Sequence, residues 1–357
     1  MHKLLIINPG STSTKIAIFQ DKECVFKKNI KHPVEEIAKF EKISDQFPFR
    51  KEVILNELKE AGQDISDISV IMGRGGLLNP LTSGVYDVNE AMIRDLMNSP
   101  VGEHACNLGG LIAADIAKDM PGVKAYIADP VVVDEMDPLA RYSGHPAFPR
   151  KSIFHALNQK IIARQHAEKI GRKYEDLNLI VVHLGGGISV GAHRKGDVVD
   201  VNNALNGEGP FTPERSGTLP AGLLMDACFS GKYTKKQIDK MLKGEGGFVA
   251  YLGTNDALTV EKEVRAGNKE WEVVYRAMAY QVAKEIGGLA ASAFSMNVDG
   301  ILITGGMAYD KLFCSILEEH VGKIAPMTVY PGEDEMAALA LNGLRVLNGE
   351  TEAKTYR

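Results

Sequence analysis

No run of apolar residues in this 357-residue chain approaches the roughly 18 needed to cross a bilayer. The first, Leu4-Leu5-Ile6-Ile7, is four residues long and breaks at Asn8-Pro9-Gly10, too short for the core of a secretory signal. Cysteine is scarce. Cys24, Cys106, Cys228 and Cys314 stand far apart with no CxxC pair, which argues against a zinc site and for reduced thiols. No basic block occurs, and the net charge is −5, so neither a nucleic-acid groove nor a polybasic membrane patch is indicated. Low-complexity stretches and long linkers are absent too. The chain is therefore expected in the cytoplasm, without nucleic-acid or membrane partners.

What remains is an ordinary globular composition, 45% hydrophobic and 24% charged, on a length that suggests two domains. A weak internal echo supports that division. "LLIINPGSTSTKIAIF" begins at Leu4 and "LIVVHLGGGISVGAHR" at Leu179. Each reads as an apolar strand, a turn of small residues and a return strand, half a chain apart, so a duplicated domain is expected. The second continues through "KGDVVDV", whose Lys195-Gly196-Asp197 looks like a further hairpin turn.

Between these hairpins lie helical patterns. "FEKISDQFPFRKEVILNELKEAG" ends at Gly62, "HACNLGGLIAADIAKDMPG" closes before Pro121-Gly122, and "FHALNQKIIARQHAEKIG" reads as an amphipathic helix capped by Gly171. Residues 68–72 and "VKAYIAD" read as strands. Later come a Gly/Pro/Asn loop, "NNALNGEGPFTPERSGTLP", and helices around "DACFSGKYTKKQIDKMLKG" and "WEVVYRAMAYQVAKEIGGLAASAF". "DGILITGG" is a buried strand, and "EDEMAALALNGLRVLNG" a final helix. Strands alternating with helices predict an α/β architecture with mixed sheets, folded as two lobes with a cleft between them.

Three small-residue turns follow apolar strands: "NPGSTSTK", "HLGGGIS" and "TGGMA". Glycine allows close approach, Ser and Thr add hydroxyls, and consecutive backbone N–H groups suit phosphate oxygens. None matches GxxxxGK[ST], and "HLGGGIS" leads into a strand, which disfavours a nicotinamide-binding fingerprint.

These turns and the duplicated domains resemble the acetate and sugar kinase/heat-shock/actin superfamily. Within it the "INPGSTSTKIAIF" and "HLGGGISVGAH" segments are similar to the carboxylate kinases of the acetokinase family, and the "NPGSTSTK" wording to the butyrate kinases among them. The resemblance implies two actin-like (ribonuclease H-like) domains, an N-terminal acyl-kinase domain at 1–148 plus 336–357 and a nucleotide-binding domain at 149–335. It also implies ATP or ADP, Mg²⁺, a short carboxylic acid substrate such as butyrate or a branched relative, an acyl phosphate product, and a homodimer or larger homo-oligomer. Lobe closure over the nucleotide is expected, hinged near 140–150 and 330–335.

Carried over residue by residue, the resemblance places Asn8, Ser11, Ser13 and Lys15 near the transferring phosphoryl group. Arg74, in "GRGG", would fork onto the substrate carboxylate, and Arg215, in "PERSG", would stabilise migrating charge. Asp129 and Glu335 would hold Mg²⁺ directly or through water, although turn formation and helix-start preference also explain them. Gly185, Gly186 and Gly187 would meet the β and γ phosphates, and Gly305 and Gly306 the adenosine or its α-phosphate. Departures occur. Acetate kinases carry Asn where Gly186 stands here. Of the two histidines in their "FHGTSH", only the second is matched, by His155, with Lys151 near the place of the first. His155 is either a catalytic residue or a helix residue packed against its lobe, and the resemblance implies that a further family histidine is replaced around Cys106-Asn107. Other readings stay open: a sugar or polyol kinase, a phosphoanhydride hydrolase, or a nucleotide-binding structural protein of actin or chaperone type.

Overall fold

The apolar runs that alternate with helical patterns become the strands of two mixed sheets in a computed structural model describing residues 1–357. In chain order the strands are β1 (Lys3–Pro9), β2 (Ser13–Gln20), β3 (Glu23–Lys31), β4 (Val70–Arg74), β5 (Val85–Asp87) and β6 (Lys124–Ala128). Next come β7 (Asn178–Leu184), β8 (Ile188–Arg194), β9 (Asp197–Val201), β10 (Gly300–Gly305), β11 (Met327–Pro331) and the short β12 (Lys354–Thr355). The chain divides into two compact units, residues 1–133 with 334–357, and residues 134–333.

The first unit holds a sheet in the order β12-β5-β6-β4-β1-β2-β3, and the second a sheet in the order β11-β10-β7-β8-β9. The core of both is one pattern. Strands β1, β2 and β3 form an antiparallel meander, with β4 and then β6 added in parallel beside β1. Likewise β7, β8 and β9 form a meander, with β10 and then β11 parallel beside β7. The register slips at matching places, between Ile18 and Phe19 on β2 and between Ala192 and His193 on β8. The expected duplication is thus present in topology as well as in hairpin wording.

Leu4, Leu5, Ile6 and Ile7 are all fully buried, so β1 is covered on both faces and reads as a continuous apolar run. Burying such side chains stabilises by roughly 1.5–3 kcal/mol apiece. The covering helices are identified by glycine. Gly343, in helix Glu335–Leu347, sits against Leu4 and Met72, whereas Gly109, in helix Asn107–Lys118, sits against the backbone of Gly73 and Arg74. Successive strand residues point to opposite faces, so Met72 and Gly73 place these two helices on opposite sides of the sheet.

In the second unit Ile180, Val182, Leu184, Ile188, Val190 and Ala192 pack with the buried side of helix Lys269–Phe294. The alternate residues face helix Ala156–Lys169. There Asn158 Oδ1 lies 2.7 Å from His183 Nδ1, and Gln159 reaches Ser189 and His193. That helix therefore departs from the amphipathic reading. Every residue from Ala156 to Ala163 is buried, polar ones included, because the sheet face it covers is itself polar.

Several elements lay outside the sequence reading: β3, β5, β11, β12 and the helices Glu90–Asn98, Gly247–Leu252, Ala257–Arg265 and Lys311–Val321. The helix read from residue 40 begins only at Phe47, with Pro48 in its first turn, after a single 3₁₀ turn at Ser44–Gln46. The strand read at 68–72 runs from Val70 to Arg74.

The contact of Gly109 with β4 gives a prediction. A Cβ at Gly109 would overlap the Arg74 backbone, forcing helix and strand apart. Gly109→Ala is expected to lower stability by about 1–3 kcal/mol in denaturant melts.

Candidate active site

Parallel neighbours β6, β4 and β1 end side by side, and each delivers one of the expected residues. Asn8 is the penultimate residue of β1, Arg74 the last of β4, and Asp129 follows β6 directly. The carboxyl ends of parallel strands are where α/β folds build sites, since the loops that leave them are free to vary.

Helix Glu335–Leu347 brings a fourth group to this edge. Asp334 caps it, accepting from the Ala337 N–H at 3.0 Å, and an acid in the first turn suits the helix dipole. Glu335 forms an ion pair with Arg74, and its Oε2 accepts from Asn8 Nδ2 at 2.7 Å. Burial works to raise the Glu335 pKa, but the Arg74 charge, hydrogen bonds from Arg74 and Asn8, and the Lys15 charge hold it below the usual range. Arg74 and Asn8 thus occupy the carboxylate that the sequence reading assigned to Mg²⁺.

Asp129 is buried, and its backbone is left-handed at φ 38°, an uncommon conformation for a non-glycine residue. Its Oδ1 accepts from Ser83 Oγ at 2.6 Å and from the Gly84 N–H at 2.8 Å. No group of three or more His, Cys, Asp or Glu side chains forms a cage for a metal ion. A single well-held carboxylate fits Mg²⁺ that arrives with phosphate and water ligands, as Mg²⁺ dehydrates reluctantly.

The turn between β1 and β2 is held from behind by a residue that sequence reasoning missed. Arg50, in helix Phe47–Glu60, has no exposed surface. Its Nη1 donates to the carbonyls of Gly10 (2.7 Å) and Ser13 (3.2 Å) and to Thr14 Oγ1 (3.2 Å). Its Nη2 donates to the Ser11 carbonyl at 2.9 Å, and both Nη2 and Nε donate to Gln46 Oε1. The Thr12 carbonyl accepts from the His32 N–H at 2.9 Å. Ser11, Thr12 and Lys15 are exposed, and Ser13 is half-buried. One sequence signal was available: Arg50, Ile54 and Leu58 share the i, i+4, i+8 stripe that the helix buries.

In the second unit the other two turns meet. Pairing of β7 with β10 sets Leu184 beside Gly305, whose φ is 94° and whose missing side chain lets it lie against the Leu184 backbone. Gly185, Gly186 and Gly306 line a cavity of about 390 Å³ together with Met307, Tyr309 and Asp310. At Gly187 a Cβ would overlap the Arg215 guanidinium, so that glycine is the seat of the arginine. Thr212, also unanticipated, ties the two loops: its Oγ1 donates to the Gly186 carbonyl at 2.6 Å and accepts from the Arg215 N–H at 2.9 Å. Arg215 Nη1 donates to the Ala204 carbonyl at 2.5 Å. Burial lowers the Arg215 pKa, while Glu214 acts to raise it.

His155 lies at the same turn. Its ring stacks on His183, centroids 3.7 Å apart, and its Nδ1 is 2.9 Å from Ser189 Oγ. Lys151 stands exposed. Asn107 is a loop-holder: its Oδ1 accepts from the Leu77 N–H, and its Nδ2 donates to Ser99 and Gly102. A histidine does occur near Cys106-Asn107, where the sequence reading has the family residue replaced. His104 Nδ1 lies 3.0 Å from Cys106 Sγ, and burial and then the Arg74 charge lower its pKa.

The sequence profile of the acetokinase family matches residues 145–339. The chain is 55% identical to butyrate kinase 2 of Clostridium acetobutylicum over 99% of each chain, and 54% identical to butyrate kinase 1 of that organism over the whole of both.

The chain belongs to the acetokinase family.

Solved structures agree on the fold of this acetokinase-family chain. Acetate kinase of Porphyromonas gingivalis superposes with a TM-score of 0.75 at 19% identity, covering 97% of this chain and 100% of that one. A propionate kinase from Francisella tularensis does so at 0.74 and 17%, covering 96% and 99%. The expected two-domain actin-like α/β architecture therefore holds.

Burial, then the Arg50 charge, hold the His32 imidazole down to about 4, and burial with the charges of Lys160 and Arg164 pushes His193 well below its usual value. An imidazole that refuses a proton when folded but accepts one near 6.5 when unfolded withdraws stability as pH falls from about 6.5 towards 4. Above that window it costs nothing. The melting temperature is expected to drop across it, and His32→Gln to make the drop shallower without abolishing it, since His193 acts with the same sign.

Proposed function

We propose that this acetokinase-family chain reversibly transfers the terminal phosphoryl group of ATP to a short-chain carboxylic acid, butyrate or a branched relative, giving an acyl phosphate and ADP. Identity above 50% along the whole chain to two proteins named butyrate kinase carries the reading. The site chemistry agrees with it. A carboxylic acid with a pKa near ~4 is already ionised at neutral pH and needs no general base. Its difficulty is charge: an anion must approach a polyphosphate. A sugar kinase must instead deprotonate an alcohol. Here Glu335 is engaged by Arg74 and Asn8, and Asp129 accepts from Ser83 and Gly84, so both carboxylates serve as acceptors for protein donors.

In this reading Arg74 binds the acid's carboxylate, oriented by Glu335, while Arg215 and His155 bear on the charge of the migrating phosphoryl group. Asn8, Ser11, Ser13 and Lys15 meet that group at the first turn. Gly185, Gly186 and Gly187 hold the phosphate chain, and Gly305 and Gly306 the adenosine side of the cavity. Asp129 would hold Mg²⁺, which would supply charge neutralisation there. Glu335 contributes through its hold on Arg74. Positioning and electrostatic stabilisation then account for most of the acceleration.

A homodimer or larger homo-oligomer belongs to the same proposal. Helix Ala221–Phe229 buries none of its residues and exposes Leu223, Met225 and Phe229. Work in the cytoplasm is likewise proposed, in keeping with four cysteines that form no disulfide.

The test is trapping of the product by hydroxylamine, which converts an acyl phosphate to a hydroxamate but leaves a sugar phosphate intact. With ATP, Mg²⁺ and acids of two to six carbons, hydroxamate is expected with its maximum near four carbons. Arg74→Ala and Arg215→Ala are each expected to lower turnover by on the order of 10²–10⁴. Phosphate release without an acceptor, or no hydroxamate with any acid, defeats the proposal.

A further inference from the structure

We propose that Arg50 is a positioning residue for phosphoryl transfer, a buried cation that never touches substrate yet makes the turn after β1 an anion site. The inference rests on reading that turn as the one that meets the transferring phosphoryl group.

Four consecutive carbonyls of the turn are turned inward. Those of Gly10, Ser11 and Ser13 accept from Arg50, and that of Thr12 accepts from the His32 N–H. Each peptide group is planar, so a carbonyl aimed at the guanidinium fixes the direction of the N–H across the same bond. The carbonyls of Gly10 and Ser11 thereby set the N–H groups of Ser11 and Thr12, and neither N–H has an acceptor within the protein. Arg50 thus holds consecutive donors in the arrangement that binds anions.

Its charge matters as much as its fork. Every acceptor around the guanidinium is neutral: three carbonyls, a hydroxyl and the Gln46 amide. No carboxylate pairs with it, and the nearby His32 is kept neutral. A buried cation without a counter-ion is costly, and burial lowers the Arg50 pKa to about 10, still far above neutrality. The charge therefore stands one peptide layer behind the turn. There it polarises the peptide groups it holds and adds an attractive field for an incoming anion. A purely structural fastening of the turn would need the hydrogen bonds but not the charge.

Two variants that both lose the fork separate these roles. Arg50→Lys keeps the cation, and Arg50→Gln removes it. Each full-length variant is assayed for turnover and KM with acyl phosphate and ADP, for ADP affinity by calorimetry, and for melting temperature. The expected outcome is a fall in turnover of about 100-fold for Arg50→Gln and at least tenfold less for Arg50→Lys, with ADP affinity unchanged in both. Equal turnover in the two, or Arg50→Gln within about twofold of wild type, overturns the proposal. If Arg50→Gln does not fold, Arg50→Lys decides alone: turnover at or above about one-tenth of wild type supports a charge role, and anything lower overturns it. Lys15→Ala is the control for the underlying reading. If it leaves turnover intact, the turn itself is misread; if it lowers turnover while the Arg50 variants fail the comparison, only the role of Arg50 is lost.

Discussion

Parallel strands that lie side by side must finish on the same edge, and the candidate site depends on that constraint. In one unit β1, β4 and β6 end together, setting Asn8, Arg74 and Asp129 along one line though they are separated by more than fifty residues in sequence. In the other, β7 and β10 end together, so two glycine turns distant in sequence become neighbours. Neither arrangement needs the loops to find one another. The sheet delivers them, and burial of strands such as β1 on both faces keeps the strand ends from shifting. Gly109 against β4 and Gly305 against β7 show how little slack is left: at both places backbone packs on backbone with no side chain between.

Within that frame the chain holds its candidate-site arginines in different ways. Arg74 is paired with Glu335, which orients it and cancels much of its long-range field. A guanidinium so paired is held in a fixed orientation. Arg215 lies on Gly187 and donates to a carbonyl, so more of its charge is left to act. Arg50 is held only by neutral acceptors and keeps its whole charge behind a turn. Local wiring, not residue type, distinguishes the three.

Much of this was legible from sequence because it rests on short-range signals. The hairpins, the glycine turns, the long helices and the chain duplication follow from periodicity and turn chemistry, and Arg74, Asp129 and Arg215 were conspicuous on loops bounded by Gly or Pro. What could not be read depends on partners far away in sequence. Nothing local says that Glu335 engages Arg74 and Asn8, or that Thr212 stitches two loops together. Helix Ala156–Lys169 was misjudged for the same reason. Its polar residues looked solvent-facing, but the sheet opposite carries His183, Ser189 and His193. Arg50 lay in between: its place on the buried stripe with Ile54 and Leu58 was visible, but a charged residue on an otherwise ordinary helix attracts no notice.

The duplication sharpens the contrast between the two turns. β1 and β7 are each seven residues long and each leads through a short turn into an antiparallel partner, yet one turn is written with Ser, Thr and Lys and the other with three glycines. At one position, Gly187, the difference follows from where an arginine meets the turn. Where Arg50 grips the carbonyls from behind, the outer side stays open, and side chains there can add hydroxyls and an ammonium group to the exposed N–H groups. Where Arg215 lies across the turn, Gly187 must leave room for the guanidinium, and a side chain would collide with it. An arginine thus limits the second turn at Gly187, whereas in the first turn Arg50 binds the carbonyls and leaves Ser11, Thr12 and Lys15 exposed.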